Sequence, residues 1–190
     1  MAVVVRNLRM TVEDFDQFVE LPENADKRYE FIGGEAVEVP SNAYSSYIVV
    51  RILWRLAMFV ELNNLGYVTG EGGGYRVYGD RYAPDVAFLR KGKTLSKQGY
   101  NPDPPDLAVE VLSPGNTESE MSLKVVNYMN DGATVWVVDY ESKTVDVFVP
   151  GQKAVRLTEK DTLDGGTVLP GFTLPVKDIF PAHEEHHPQA

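Results

Sequence analysis

A chain of 190 residues with 43% hydrophobic and 24% charged side chains has the composition of one globular domain with its own core. It has no cysteine, which excludes a disulfide framework, a thiolate zinc site and a cysteine nucleophile. The net charge of −10 argues against constitutive binding to a phosphate backbone, although a metal-holding carboxylate cluster would itself be negative.

The N-terminus lacks a long apolar segment followed by a cleavage site, and no apolar run approaches the roughly 20 residues of a membrane span. Together with the absence of cysteine, this predicts a cytoplasmic protein that has no membrane partner.

The N-terminal part of the chain is predicted to form a helix, a hairpin and a second, longer helix. Thr11 begins the first helix, with acidic residues in its first turn. Two alternating runs on either side of Gly33-Gly34, in RYEFIGGEAVEV, predict a tight β-hairpin. Apolar residues recur at helical spacing from about Ala43 to Asn64, and Gly66 is expected as the C-terminal glycine of that helix.

The middle of the chain is predicted to supply the central sheet. Three strands are expected in succession, around Tyr67–Gly70 (with Tyr75–Tyr78 as an extension), Tyr82–Leu89 and Asp106–Leu112. A capping box of Thr117 and Glu120 begins a helix that ends near Met129, and TVWVVDY follows as a buried strand. This order predicts an α/β domain in which a helix covers each face of a sheet.

The C-terminal part is predicted to be β-rich, with short strands in VDVFVP, KAVRLTE and TVLPGFTLPV. One domain is expected over residues 1–180, followed by a flexible tail over 181–190. All three histidines lie in that tail, so histidine catalysis is not expected. The glycine-rich run around Gly72 lacks the features of a phosphate-binding loop and is interpreted as a flexible turn.

Two carboxylates in apolar strands are the main candidates for a functional site. Asp85 lies within YAPDVAFL and Glu110 within LAVEVL, and a buried carboxylate needs a partner, a proton or a metal ion. Strand alternation places the small Ala87 and Ala108 on the same faces as these acids, which leaves room beside them. If the two strands pair, Mg²⁺ or Mn²⁺ would relieve the repulsion between the carboxylates.

Two further residues are candidates for the same site. Lys124 falls at the edge of the buried stripe of its helix, where its ammonium would orient a nucleophile or simply extend to solvent. Glu30 faces opposite to its neighbours in the strand RYEFI and is the candidate fourth member of the site. The simpler interpretation of Glu30 is a solvent-facing charge or an ion pair with Lys27 or Arg28.

Several other cations are ordinary solvated charges in the simplest interpretation. Arg76 and Arg81 would hold a phosphate if they lay near the site. The segment RKGKTLSKQGYNPDPP is interpreted as a mobile loop, and its four cations form the positive cluster of an acidic chain: Arg90, Lys91, Lys93 and Lys97.

Four ordered motifs, RYEFIGGEAVEV, APDVAFL, PPDLAVEVLSP and the Lys124–Tyr128 helix followed by WVVD, resemble the Uma-type family of restriction-endonuclease-like proteins. That family is placed in the PD-(D/E)XK nuclease superfamily, so the resemblance implies a restriction-endonuclease-like αβββαβ core with a mixed sheet. It also implies that Pro84-Asp85 and Glu110-Val111-Leu112 are the metal-binding motifs, with the Val111 carbonyl as a further ligand.

This chain departs from the family pattern at two positions. Leu112 occupies the place of the motif lysine, so the resemblance assigns the lysine role to Lys124. The long helix begins with Ala43-Tyr44-Ser45-Ser46-Tyr47, where the family often has a histidine.

Three hypotheses follow. The first is a Mg²⁺- or Mn²⁺-dependent endonuclease, with Asp85, Glu110, Lys124 and Glu30 at the site, nucleic acid (DNA) as substrate and, by analogy, a homodimer. The second is a binding or regulatory module that kept the fold and lost activity. The third is a glycoside or ester hydrolase that uses two acids without a metal.

Overall fold

The computed structural model describes residues 9–24, 27, 29–38, 42–113 and 117–181. Its α-helices are α1 (Val12–Val19), α2 (Ala43–Leu62) and α3 (Glu118–Asn130). Its strands are β1 (Tyr29–Ile32), β2 (Glu35–Glu38), β3 (Gly66–Gly70), β4 (Tyr75–Val77), β5 (Asp80–Tyr82), β6 (Val86–Arg90), β7 (Leu107–Val111), β8 (Thr134–Asp139), β9 (Thr144–Phe148), β10 (Val155–Leu157), β11 (Thr162–Asp164) and β12 (Thr173–Pro175).

The central sheet has six strands in the order β10-β9-β8-β7-β6-β3. Strands β7 and β8 are parallel and the other pairs are antiparallel, so the sheet is mixed. One face packs against α2 through a cluster that includes Ile52 and Leu56, and the other packs against α3 through Val125 and Tyr128. This is the predicted α/β, restriction-endonuclease-like architecture.

A second sheet, in the order β2-β1-β5-β4, packs at the α3 side of the molecule. The hairpin β1–β2 turns at Gly33 and Gly34, whose φ angles of 58° and 93° are the left-handed values that this two-residue turn requires. The predicted hairpin is therefore confirmed, and it brings β1 against the third helix.

The predicted strand Tyr82–Leu89 is wrong as a single element, because it divides into β5 and β6 in different sheets. Pro84 lies at the break, where it has no N–H to donate to a ladder and restricts the residue before it. Asp85 therefore lies in a bend just before β6 rather than within a strand. The proposed extension Tyr75–Tyr78 is also a separate strand, β4, which pairs with β5.

Two smaller expectations are corrected. The left-handed residue that follows α2 is Asn64, with a φ of 51°, whereas Gly66 begins β3. At the C-terminal end, Thr173–Pro175 pairs with Thr162–Asp164, which was not predicted, and the rest of TVLPGFTLPV is not a strand. The predicted tail lies outside the described residues, apart from Pro181.

Helix α2 is long and apolar enough, by length and composition alone, to cross a membrane. The sequence predicts this helix but no membrane span, because its apolar residues are interrupted by Arg51, Arg55 and Glu61. One helix of this kind is weak evidence for a span. Its inner face lies in the core, which is the ordinary position of an amphipathic helix on a sheet.

The basic segment between β6 and β7 is held by several hydrogen bonds. The Lys93 ammonium donates to the Pro104 carbonyl at 2.8 Å, and Arg90 pairs with Asp106 at 2.7 Å. The Thr94 N–H donates to the Asp103 carboxylate. The expectation of a freely mobile loop is therefore not supported by its contacts.

Candidate active site

The candidate site is centred on the ammonium of Lys124. Helix α3 begins with the Thr117–Glu120 capping box, and it buries Met121, Val125 and Tyr128 against the sheet. Lys124 shares that inner face and is only 3% exposed. Its Nζ donates to both carboxylate oxygens of Glu30 at 3.0 Å and to Oε2 of Glu110 at 2.8 Å.

Glu110 reaches the site from the middle of the sheet. Every residue of β7 is buried, and alternation places Glu110 on the same face as Ala108, toward α3. Its Oε1 accepts a hydrogen bond from the Tyr128 hydroxyl at 3.0 Å, while its Oε2 contacts Lys124. Both oxygens of this buried carboxylate thus have a partner.

Asp85 lies at the same end of the sheet. In the β6–β7 ladder Val86 faces Val109, so one step further along this antiparallel pair Asp85 faces Glu110. Its Oδ2 accepts a hydrogen bond from the Val111 N–H at 2.6 Å. Because the N–H and C=O of a strand residue point toward the same neighbouring strand, the Val111 carbonyl is also on the Asp85 side.

The simpler interpretation of Glu30, a solvent-facing charge or a pair with Lys27, is wrong. Glu30 is 4% exposed, and besides contacting Lys124 it accepts a hydrogen bond from the Ala83 N–H at 2.8 Å. Arg28, the other partner considered, lies outside the described residues. Glu30 is buried because the hairpin packs against α3, which turns this face of β1 toward the lysine.

The electrostatics of the site are set by burial and by shared charge. Burial raises the pKa of Asp85 to about 6, against the lowering effect of the Val111 N–H and of Lys124. Burial also raises the pKa of Glu110, and Lys124 opposes that shift. For Lys124, burial alone would lower the pKa, but the Glu110 and Glu30 carboxylates outweigh it and raise the pKa above its ordinary value.

One ammonium therefore serves several carboxyl groups. Lys124 stays charged at neutral pH, and the surplus of acids beside it leaves the site short of positive charge once they are ionised. A divalent cation would supply that charge.

A polar and aromatic wall surrounds the ammonium. The Lys124 Nζ lies 5.6 Å from the centroid of the Tyr82 ring, and the rings of Tyr82 and Tyr128 are 5.3 Å apart. Asn127 donates to the Tyr82 hydroxyl at 2.7 Å. Tyr128 was not a candidate site residue, although its position four residues after Lys124 signals a shared helix face.

The two arginines considered as phosphate ligands differ in their surroundings. Arg81 is buried and pairs with Asp16 at 2.9 Å, so it is committed to holding α1 against β5. Arg76 is exposed on β4.

The donor atoms suit a hard divalent cation. Mg²⁺ binds oxygen, is commonly held by one or two carboxylates, and completes its shell with water and substrate phosphate. Asp85, Glu110 and the Val111 carbonyl supply such oxygens, while Glu30 is bound to the ammonium. Among the described residues no group of three or more acids, histidines or cysteines is placed so that it could hold a metal ion by itself. A metal ion held by Asp85 and Glu110 would therefore need water and substrate phosphate to complete its shell.

A family model described as "Putative restriction endonuclease" (Uma2) matches residues 15–177, which include every residue of this site. The chain belongs to the Uma2 family. A crystal structure titled as a putative nuclease of DUF820 from Anabaena variabilis ATCC 29413 has the same fold, with a TM-score of 0.75 at 20% identity. The match covers 87% of this chain and 96% of that one. No curated protein matches significantly.

Membership of the Uma2 family confirms the resemblance inferred from the four sequence motifs. The family description supports a nuclease, and hence a nucleic acid as substrate, and the similar structure supports the fold.

Proposed function

We propose that this protein is a Mg²⁺- or Mn²⁺-dependent endonuclease that hydrolyses phosphodiester bonds of DNA. The observation that carries the proposal is the convergence of Glu30 and Glu110 on the Lys124 ammonium, each within 3.0 Å of it, beside Asp85. Buried clusters of mutually perturbed ionisable groups are enriched at active sites, and this one contains the residues that the sequence resemblance assigns to the site.

Each residue has a distinct proposed role. Asp85, Glu110 and the Val111 carbonyl would hold the metal ion, which when bound supplies charge stabilisation at the phosphate and lowers the pKa of water. Lys124 would orient the attacking water and stabilise the charge that develops on the phosphate oxygens. Glu30 fixes the position of the ammonium, and Tyr128 holds the second oxygen of Glu110.

Plasmid DNA cleavage tests this proposal. Wild-type protein is incubated with supercoiled plasmid in Mg²⁺, in Mn²⁺ and in EDTA, and compared with Asp85→Asn, Lys124→Met and the exposed control Glu159→Gln. We expect metal-dependent nicking by the wild type and the control, and a loss of at least about 100-fold in the two site variants. Equal nicking by Asp85→Asn would show that the activity comes from a contaminant.

A second candidate is a binding module without activity. The net charge of −10 and the absence of a histidine near the start of α2 favour it. It predicts no cleavage in any metal and no change in metal affinity on Asp85→Asn. The metal-free acid/base hydrolase is disfavoured by the family match, whose description is a restriction endonuclease.

We also propose a homodimer that forms through the outer face of α2. Residues at successive helical turns expose apolar side chains there, with exposed fractions between 43% and 80%: Tyr47, Val50, Trp54, Met58 and Leu62. The stripe is nearly symmetric about Trp54, since Val50 and Met58 lie four residues on either side. A two-fold axis at Trp54 would therefore pair the stripe with itself, as an isologous interface requires.

Size-exclusion chromatography with light scattering tests this interface. The wild type is expected to be dimeric and Trp54→Glu monomeric, because a buried unpaired charge at the centre of an interface is costly. Val155→Glu, which changes a similarly exposed residue on β10, is expected to stay dimeric. A monomeric wild type would contradict the proposal, and so would a dimeric Trp54→Glu.

A further inference from the structure

A small cavity lies directly beside the candidate active site. It has a volume of about 180 Å³, and its lining includes Lys27, Tyr29, Glu71, Ala83 and Tyr100. Two of these residues join it to the site. The Ala83 N–H donates to Glu30, and the Glu71 charge contributes to raising the pKa of Asp85. The cavity is thus an opening next to the buried carboxylates.

A second cavity, of about 250 Å³, continues on the other side of the glycine run between β3 and β4. Its lining includes Thr69, Leu95 and Lys97, and it shares Gly72, Gly74 and Gly99 with the first cavity. The two cavities therefore adjoin at the glycine run, and we call the pair the glycine groove. It extends from the active site to the basic segment after β6.

The glycines shape this groove. A Cβ atom on Gly74 would lie 2.5 Å from the Tyr100 ring, so only glycine lets the aromatic ring pack against the backbone there. A Cβ atom on Gly72 would meet nothing within 4 Å, so this position opens into the groove. The glycine run, interpreted from the sequence as a flexible turn, thus lines both cavities.

We infer that the glycine groove binds an unpaired strand of nucleic acid and leads it to the active site. Proteins that bind single strands combine cations that follow the backbone with aromatic rings on which bases stack. The groove supplies Lys27 and Lys97 for the first task and the partly exposed Tyr100 for the second, whereas Tyr29 is buried against Phe18. This inference rests on the proposed nuclease function and specifies its substrate as single-stranded DNA, or the unpaired part of a duplex.

The size of the groove favours one strand over two. Each cavity is smaller than the roughly 300 Å³ at which pockets for drug-sized ligands begin. A B-form duplex, whose major groove alone is about 12 Å wide, cannot enter such a space. An extended strand is narrower, and its separate bases and phosphates would occupy the two cavities in turn.

The test is fluorescence anisotropy with the full chain and a labelled oligonucleotide of about 12 nucleotides, compared with the same sequence as a blunt duplex. The measurements are made in EDTA, so that binding is observed without cleavage. The variants are Gly72→Phe, which fills the groove, and Lys97→Glu, with Lys153→Glu as an exposed control on the turn before β10. Thermal unfolding identifies any variant that fails to fold, and Lys97→Glu then stands on its own.

We expect the wild type to bind the single strand at least about five-fold more tightly than the duplex. Gly72→Phe should weaken that binding about ten-fold, as for the loss of one stacked base, and Lys97→Glu about three- to ten-fold. Lys153→Glu should bind like the wild type.

Tighter binding of the duplex, no binding of either form, or unchanged binding by both groove variants would overturn the inference. Its failure is separate from that of the proposed function. Plasmid nicking that depends on Asp85 stands even when the groove variants bind normally, and single-strand binding stands even when Asp85→Asn still cleaves.

Discussion

Lys124 holds the candidate site together electrostatically, and its removal should therefore be costly. In Lys124→Met the side chain keeps a similar length. Glu30 and Glu110, however, lose the ammonium that donates hydrogen bonds to them at 2.8–3.0 Å. Removing one partner of a buried ion pair costs about 3–5 kcal/mol. For a domain of this size each kcal/mol corresponds to about 2–4 °C, so the melting temperature should fall by about 6–20 °C.

The loss should depend on pH in a definite direction. Without the ammonium, burial raises the pKa of Glu110 further, so the folded variant binds a proton that the unfolded chain has released. The variant's stability then falls as pH rises, and its deficit relative to the wild type should be larger at pH 8 than at pH 5. The raised pKa of Lys124 keeps the wild-type ammonium charged over this whole range.

Differential scanning fluorimetry at pH 5 and pH 8 measures both effects, with Lys153→Met as the control, since Lys153 is exposed. The control should change the free energy of unfolding by less than about 0.5 kcal/mol. Adding Mg²⁺ or Mn²⁺ should restore part of the stability of Lys124→Met, because a cation that binds only the folded state stabilises it. A variant as stable as the control at pH 8 would refute the assignment of Lys124 as the central cation.

Three further outcomes are expected. Asp85→Asn should abolish metal-dependent cleavage while raising the stability of the metal-free protein at pH 8 by about 1 kcal/mol. Because the pKa of Asp85 is raised on folding, its contribution to stability is present below the unfolded pKa and lost as pH rises through about 6, and an amide avoids that loss. Calorimetric unfolding measures the change, and an unchanged stability at pH 8 would contradict it. Mn²⁺ affinity, measured by titration calorimetry, should increase as pH rises through about 6, because the Asp85 carboxyl must lose its proton to bind metal. An affinity that does not change from pH 5 to 7 would exclude Asp85 as a ligand. Gly66→Ala should lower the free energy of unfolding by about 1–3 kcal/mol in denaturant titration, because the new Cβ would lie 2.0 Å from the Leu89 carbonyl oxygen at a φ of 154°. An unchanged free energy of unfolding would show that β3 shifts freely to make room.

The helices and the central strands were predictable because their signals are local. The Thr117–Glu120 capping box and the Gly33-Gly34 turn are each formed by residues close together in the chain, and both occur in the structure as expected. The pairing of β6 with β7 followed from their adjacency in the chain, and it places Asp85 opposite Glu110. The family motifs extended this local information to the order of the whole core.

The errors occurred where distant contacts decide the structure. Pro84 was a visible warning inside a predicted strand, but the departure of β5 into another sheet depends on its pairing with β4 and β1. The burial of Glu30 depends on a contact with Lys124, 94 residues further along the chain. The groove between β3 and β4 depends on the packing of Tyr100 against Gly74, which no periodicity in either segment predicts.

The position of the lysine shows why spacing alone is an incomplete guide to this site. The strand position two residues after Glu110 shares its face of the sheet, yet Leu112 there packs with the apolar cluster beneath α3. An ammonium nevertheless lies 2.8 Å from Glu110, because Lys124 extends to it from the helix above. An ammonium interacts with a carboxylate or a phosphate through distance and burial, whichever backbone carries it. The strand ladder places the two acids side by side, whereas the cation needs only a long side chain on some element that faces them.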